Sequence, residues 1–505
     1  MSLSVPPQSA LPAGATRPNR QDRSPATRAE KLLVTITGLN LVLLAWAFGG
    51  VDVWSQLVSA LLGAVGLLIA LRPRGRHSAG GETPWTTLRR FPIFWAGLTL
   101  FGYVLIQALN PAWVYHDSDR EWWLEAEPFL RWLPAGMAVP FADAGPFRAL
   151  LLWFSPWAII CALWIGLTRR STVVALLNVI AVNGFLLASF GLVQLAAGEG
   201  DIYGVRHTPS AEIFASFIYR NHAAGYFILI AAVAVALAVD GLWRRRQSAA
   251  RHGPAILYFL FAITSLTAVV LTFSLGGLGL LTVSWGLLAA VTGGRFLRSL
   301  TGTRVAWPAV IMAITIVTLI GGLAVFSGSE PLREHLRQKL SGGASQSLHM
   351  RWLAARQGME MLAARPVFGW GAGCFRFGFT KYQRREIEIT GTGLARHFWE
   401  HVHNDRLEWL IELGVVGSTP VVFTVVYWLQ LLLRKRFWRL PSLLWGTGGV
   451  ATLALYGWFD FPFQNPALLS TTACVLCLVT RWSELSPPAA GGPAPRAASS
   501  PGEIG

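Results

Sequence analysis

A polar stretch, residues 327–409, lies between two groups of apolar runs and closes with His401-Val402-His403-Asn404-Asp405-Arg406-Leu407-Glu408-Trp409. Charge is costly in hydrocarbon, so this collection of His, Arg, Asp and Glu belongs at or above a bilayer surface, and its density marks it as the functional segment. A neutral imidazole is suited to take a proton from a hydroxyl near pH 7. Arginine forks suit phosphate oxygens, which they bind through two parallel bonds. Arg351, Arg376, Lys381, Arg384 and Arg385 precede the histidines in the same stretch. Hydroxyl activation beside phosphate binding is therefore the chemistry these residue types offer. It demands no metal and no cofactor. His397-Phe398-Trp399-Glu400-His401 does spell H-x-x-E-H, which on a helix sets two imidazoles at i and i+4 with Glu400 as base. That zinc pattern lacks a third-ligand context, and the stretch is small for a protease domain.

The elements around this stretch must be membrane helices. The chain has 505 residues, 53% hydrophobic and only 13% charged, with a mean hydropathy of +0.47. A soluble protein carries about 25% charged residues. Runs near the ~20 residues needed to cross hydrocarbon occur at Leu32–Gly50, Trp54–Leu71, Phe91–Leu109, Arg148–Leu167, Thr172–Ala197, His222–Val239 and Ala255–Phe273. More follow at Gly276–Val291, Val305–Phe326, Leu410–Leu433, Ser442–Phe459 and Phe463–Thr480. The expected fold is an all-α polytopic membrane protein with about twelve spans, since a helix satisfies its own backbone in lipid. Its large loop falls between the ninth and tenth. The Pro/Arg/Ser-rich residues 1–31 and the Pro/Ala/Gly/Ser-rich residues 482–505 read as disordered tails, leaving 32–326 and 410–481 as the two membrane parts.

The net charge of +16 would suit a nucleic-acid binder, but the basic residues fall in short clusters between apolar runs. That is topology, not a binding groove, and no nucleic-acid partner is expected. Arg72/Arg74/Arg76/Arg89/Arg90, Arg169/Arg170, Arg244/Arg245/Arg246/Arg251, Arg295/Arg298/Arg304 and Arg434/Lys435/Arg436/Arg439 share one set of loops with both tails. The opposite short loops hold acids such as Asp117, Asp119, Glu121, Glu125 and Glu127. Positive charge favours the cytoplasm, which places the tails inside and the large loop outside. Residues 110–147, with Trp113, Trp122, Trp123, Phe129 and Trp132, suit an interfacial layer. Of the four cysteines only Cys374 lies in the large loop, so there is no disulfide framework, and Cys474-x-x-Cys477 inside an apolar run reads as packing.

Within the loop, Arg351 opens an amphipathic helix that runs into Arg365-Pro366-Val367-Phe368-Gly369-Trp370-Gly371-Ala372-Gly373. Proline followed by alternating glycines is a helix stop and a tight turn. These blocks resemble the O-antigen ligase and O-antigen polymerase superfamily. So do Arg351-Trp352 before them, and His403-Asn404-Asp405 running into Leu410-Ile411-Glu412-Leu413-Gly414-Val415-Val416-Gly417. Arg220-Asn221-His222-Ala223-Ala224-Gly225-Tyr226 and Asp460-Phe461 with Pro466-Ala467 resemble further blocks, so the likeness covers about residues 200–470.

The resemblance implies a metal-independent, inverting glycosyl transfer at the outer face of the bacterial cytoplasmic membrane. The donor would be a glycan on a polyprenyl diphosphate and the acceptor a sugar hydroxyl of another lipid-linked molecule, with membrane lipids around both. His403 matches the family histidine and Arg351 its loop arginine. Asn404, Asp405 and Asp460 would support them. One position departs. Where the family has Ser-Arg-Gly in the hairpin between spans seven and eight, this chain has Ser274-Leu275-Gly276. The expectation is that Arg220, at the outer mouth of span six, supplies the missing cation and that Asp460 holds it. The bland readings are a helix cap for His403, a solvated helix face for Arg351 and a snorkelling side chain for Arg220. At the level of the whole chain the alternatives are a transporter or flippase, or an inactive scaffold of a polysaccharide export complex. The former would need ionisable residues in mid-span, and few are present.

Overall fold

A computed structural model of the chain describes residues 25–73, 83–118, 121–198, 201–207, 213–247, 255–299, 344–384, 387 and 398–485. It is an all-α polytopic membrane protein. The helices are α1 (Arg28–Trp46), α2 (Val53–Ala70), the short α3 (Pro84–Arg89), α4 (Pro92–Leu109), α5 (Pro146–Gly166), α6 (Arg170–Ala197) and α7 (Arg220–Gln247). They continue with α8 (Ala255–Leu271), α9 (Leu275–Ser299), α10 (Ala344–Ala364), the short α11 (Phe375–Gly378), α12 (Asp405–Arg434), α13 (Pro441–Tyr456) and α14 (Pro466–Leu485). Among the described residues nine helices are long and apolar enough to span a bilayer: α1, α2, α4, α5, α6, α7, α9, α12 and α14. Apolar α8 is shorter. The ninth expected span, Val305–Phe326, lies outside the described residues, as do most of the two expected tails. α1 nevertheless begins at Arg28 and α14 reaches Leu485, so each helix extends into the segment read as tail.

α7 is the centre of the bundle. Its apolar stretch is 94% buried, packed by α8, α13, α6, α9 and α14. Ala-Val alternation along Ala231–Ala238 lets these neighbours approach closely, the way small residues serve helix packing in lipid.

A second apolar core lies outside the bundle, built from Met137, Trp370, Phe375, Phe377, Trp399, Val402, Leu407 and Ile411. The aromatic segment after α4 belongs to it. Strands β1 (Pro111–Asp117), β2 (Trp122–Ala126) and β3 (Gly136–Ala138) form a sheet in the order β2-β1-β3, antiparallel and then parallel. Trp113 and Tyr115 on β1, with Trp122 and Leu124 on β2, share the face that meets the loop core. Trp113 stacks on Trp370 with centroids 5.1 Å apart, and the Arg365 guanidinium lies 3.9 Å from the Trp113 ring. The interfacial layer expected here is thus in good part a sheet packed on the large loop, with Trp123 and Trp132 left exposed. A smaller hairpin, β4 (Asp201–Ile202) and β5 (Arg206–His207), precedes α7.

Candidate active site

The His403-Asn404-Asp405 run owes its shape to the start of α12. Asn404 is the N-cap, its side-chain oxygen accepting the Arg406 and Leu407 N–H groups at 3.2 Å each. The buried Asp405 ties this end to the α13–α14 connection: its N–H donates to Gly457 O at 3.0 Å and its carboxylate accepts from Phe463 N at 3.1 Å. His403, just before the cap, takes φ +56°, a left-handed conformation uncommon outside glycine. Strain of that kind persists only where the surroundings impose it, and it gathers at functional sites.

The strain turns the imidazole onto Asp460. His403 Nδ1 lies 3.2 Å from Asp460 Oδ1, and Nε2 makes no hydrogen bond among the described residues. Asp460 is buried in the α13–α14 connection and receives Asn221 Nδ2 at 2.6 Å and the Arg351 guanidinium at 3.6 Å. Arg351, on α10, also donates to Phe459 O at 2.9 Å and to the Tyr219 hydroxyl at 3.3 Å. Three separate blocks of the sequence thus converge on one carboxylate. Burial pushes the Asp460 carboxyl up, but the His403 bond and the charges of Arg351 and His222 outweigh it and hold the group below its usual value. Burial is also the main influence on His403, lowering its pKa against the pull of Asp460, with the Arg351 charge adding to the decrease. The imidazole is therefore neutral at pH 7. With Nδ1–H donated to the carboxylate, Nε2 is left as the basic nitrogen.

A second histidine–carboxylate pair stands beside the first. His401 Nδ1 lies 2.6 Å from Glu408 Oε1, and the buried Glu408 also accepts Val402 N at 2.9 Å and Gln464 Nε2 at 3.2 Å. Phe461 separates the pairs: His401 stacks on it at 4.3 Å, while His403 and His222 meet it edge-on, both at 4.9 Å. Sequence reasoning set His401 aside and passed over Glu408 and His222. The spacing of His401 to Glu408 across a cap was the available signal.

These groups border a cavity of about 660 Å³. His222, His401, His403, Glu408, Arg148, Arg206 and Arg376 line it, together with Tyr219 and Phe461. α2, α5, α7, α12 and α14 all begin at its wall, so the positive ends of five helix dipoles face it. Arg351, Asn404, Asp405 and Asp460 stand behind that wall. Arg220 is half-buried at the first residue of α7, beside Tyr219. The contacts described at the Asp460 carboxylate bring Arg351, Asn221 and His403 to it. Leu275 opens α9 and is 38% exposed, while the adjacent Ser274 bonds the Tyr456 hydroxyl at 2.9 Å. Of the H-x-x-E-H pattern, His397 lies outside the described residues, Glu400 faces Arg376 at 3.7 Å and His401 is taken by Glu408. No group of three or more His, Cys, Asp or Glu is placed to hold a metal ion among the described residues.

The glycine run fixes where this loop sits. Gly414 breaks α12 with φ +64° and ψ −176°, a region open essentially to glycine. The break frees carbonyls that the glycine run then binds: Trp370 N donates to Ile411 O and Gly371 N to Glu412 O, both at 2.9 Å. Val415 N and Val416 N return bonds to Pro366 O and Val367 O at 2.9 and 3.1 Å. Gln107 on α4 completes the clasp, its amide nitrogen reaching Phe368 O and Glu412 O at 3.1 Å each while its oxygen accepts Ala372 N at 3.1 Å. The span expected as continuous over Leu410–Leu433 is consequently two helical pieces joined at Gly414.

No curated protein sequence matches the chain. Residues 260–422 match the family model described as O-antigen ligase. That segment runs from α8 through α10, the glycine clasp and His403 into α12, and it contains Arg351, His403, Asn404 and Asp405, with Arg220 and Asp460 on either side. Through this segment the chain is similar to the O-antigen ligase family of membrane proteins.

Proposed function

We propose that the chain is a membrane glycosyltransferase working at the outer face of the bacterial cytoplasmic membrane. It would transfer a glycan from a polyprenyl diphosphate to a sugar hydroxyl of a lipid-linked acceptor. The observation that carries this reading is the His403–Asp460 contact at the cavity wall, with the basic nitrogen of a neutral imidazole left available. The acceptor hydroxyl gives its proton to His403 Nε2 while its oxygen bonds to the anomeric carbon of the donor sugar. The bond from that carbon to the diphosphate oxygen breaks, and polyprenyl diphosphate leaves. Attack from the face opposite the leaving group inverts the anomeric centre. Asp460 holds the productive tautomer and stabilises the imidazolium as it forms, the same logic that positions the base in a serine hydrolase triad. Arg351, through its contact with Asp460, keeps that carboxylate ionised and in place. Asn404 and Asp405 fix the start of α12, and Arg220 adds positive charge at the mouth of α7.

The test is transfer in proteoliposomes given a polyprenyl-diphosphate-linked glycan and a lipid-linked acceptor. Wild-type protein should consume the donor, and His403→Ala should lose about 10²–10⁴ in rate, the usual cost of removing an oriented base. His401→Ala should retain most activity. Loss of transfer in His401→Ala with His403→Ala spared would reject the assignment.

A further inference from the structure

Two cations line the cavity, Arg376 and Arg148, with no carboxylate in hydrogen-bonding contact among the described residues. Arg376 follows Gly373 by one turn and Arg148 follows Gly145 by one turn. A single backbone bond brings these turns together: Gly145 N donates to Gly373 O at 3.2 Å. The approach is close enough that a Cβ on Gly373 would stand 2.7 Å from Gly145 N. The two guanidiniums that follow these turns line the same cavity.

Arg376 is mostly buried, with its side chain 20% exposed, yet its guanidinium makes no hydrogen bond among the described residues. Its one ion pair is the loose 3.7 Å approach to the exposed Glu400. Arg148 is held by neutral oxygens: Gln56 Oε1 at 3.1 Å, Val51 O at 2.5 Å, Phe141 O at 3.4 Å and Ala142 O. Several other polar groups on this wall have partners. Arg206 is bound bidentately by Asp52 at 2.8 and 3.0 Å, Glu408 holds His401, and Glu412 accepts the Phe375 N–H at 3.1 Å. Asp143 and Asp52 act on Arg148 only at a distance, and neither is within ion-pair reach of it. Arg351, the residue the sequence put forward for phosphate, is committed to Phe459 O, Tyr219 and Asp460.

We infer that Arg376 and Arg148 form a phosphoryl-binding subsite of this cavity, which takes the phosphate or diphosphate of a lipid-linked substrate. The inference rests on the transferase reading for the identity of that lipid. A phosphoryl group supplies several acceptor oxygens to the guanidinium forks that line the cavity. The helix starts around the cavity add to the attraction for an anion. Arg148 lies in the first turn of α5, beside the exposed Phe147 and Phe141, so a bound phosphoryl group would sit where a lipid tail can leave for the bilayer.

Binding to the purified full-length chain in detergent tests this with three probes: geranylgeranyl diphosphate, phosphatidic acid, and geranylgeraniol as the phosphate-free control. Losing a charge-assisted bond should weaken phosphoryl binding about 10–100-fold in Arg376→Gln and in Arg148→Gln. Arg384→Gln, whose guanidinium pairs with Glu360 at 2.6 Å on the surface, should bind like wild type. Arg376→Gln is the decisive variant because its guanidinium makes no hydrogen bond among the described residues, and an unchanged unfolding temperature will show that it folds. An Arg376-dependent preference for geranylgeranyl diphosphate assigns the subsite to the donor, and one for phosphatidic acid assigns it to the acceptor. Equal affinity in wild type and both cavity variants, or equal binding of geranylgeraniol, overturns the subsite. Arginine-dependent binding in a protein that transfers no glycan would overturn the transferase reading alone. Transfer with an unchanged KM for both lipids in Arg376→Gln would overturn the subsite alone.

Discussion

His403 and Arg351 act on each other through Asp460, and that coupling has a measurable sign. Burial holds the His403 imidazole below the ordinary histidine value, and the Arg351 charge holds it lower still. A base that must be neutral loses activity only as the pH falls through its lowered pKa. The acid limb of the rate profile should therefore lie below the ~6.5 of a free histidine. Arg351→Gln removes a positive neighbour, so the limb should move to higher pH. Asp460→Asn removes the negative neighbour and should move it to lower pH, with a fall in rate from the lost tautomer control. Arg351→Lys keeps the charge but not the fork and should be impaired with its limb nearly in place. A limb that stays put in Arg351→Gln while activity collapses would sink the coupling and leave Arg351 some other task. His403 was legible in the sequence because Asn404 and Asp405 mark the cap that follows it. Its tie to Asp460 was not, because the two residues meet only after α12, α13 and their connection have folded back.

The glycines at 369, 371 and 373 read in the sequence as a turn after a helix, and the turn is there, whereas Gly414 fell inside a span expected to be continuous. What the sequence could not display is the partner. Each of the four takes a positive φ, and the glycine run and the α12 break lock into one another. A Cβ on Gly369 would lie 2.3 Å from Glu412 O, and one on Gly414 would lie 2.3 Å from Val367 O. Left-handed backbone alone costs an L-residue about 1–2 kcal/mol, and these backbone clashes add to it. Gly414→Ala and Gly369→Ala should each lower the unfolding temperature in detergent and reduce activity. Gly102→Ala, at a helical site with open space around it, should change neither. Full thermal stability in Gly414→Ala would mean that α12 can run straight and that the clasp does not set the position of His403. The sheet β1–β3 escaped notice for a related reason. Its aromatic residues alternate with the period of a strand, but in a chain this rich in tryptophan they also suit a bilayer interface.

At the scale of the whole molecule, the direction of the helices sorts the charges. α2, α5, α7, α12 and α14 start at the cavity. At their far ends lie the ion pairs Arg170–Asp240 at 2.6 Å, Lys435–Glu484 at 3.4 Å and Arg481–Glu484 at 2.6 Å, with Arg169–Glu30 nearby. Arg169, Arg170, Arg434, Lys435 and Arg436 thus gather at the end opposite the His403 cluster, which is the separation that the basic loops led one to expect. Positive charge holds its loops in the cytoplasm, so the cavity should open on the other side. The four native cysteines are buried, which makes single introduced cysteines informative reporters. Met359→Cys, at a 59% exposed position on α10, should react with a membrane-impermeant maleimide in intact spheroplasts. Arg436→Cys, at an exposed position after α12, should react only once the membrane is permeabilised. The reverse pattern would put the cavity on the cytoplasmic side, where a transferase serving outward-facing glycans has no substrate, and would remove the proposed reaction together with the orientation.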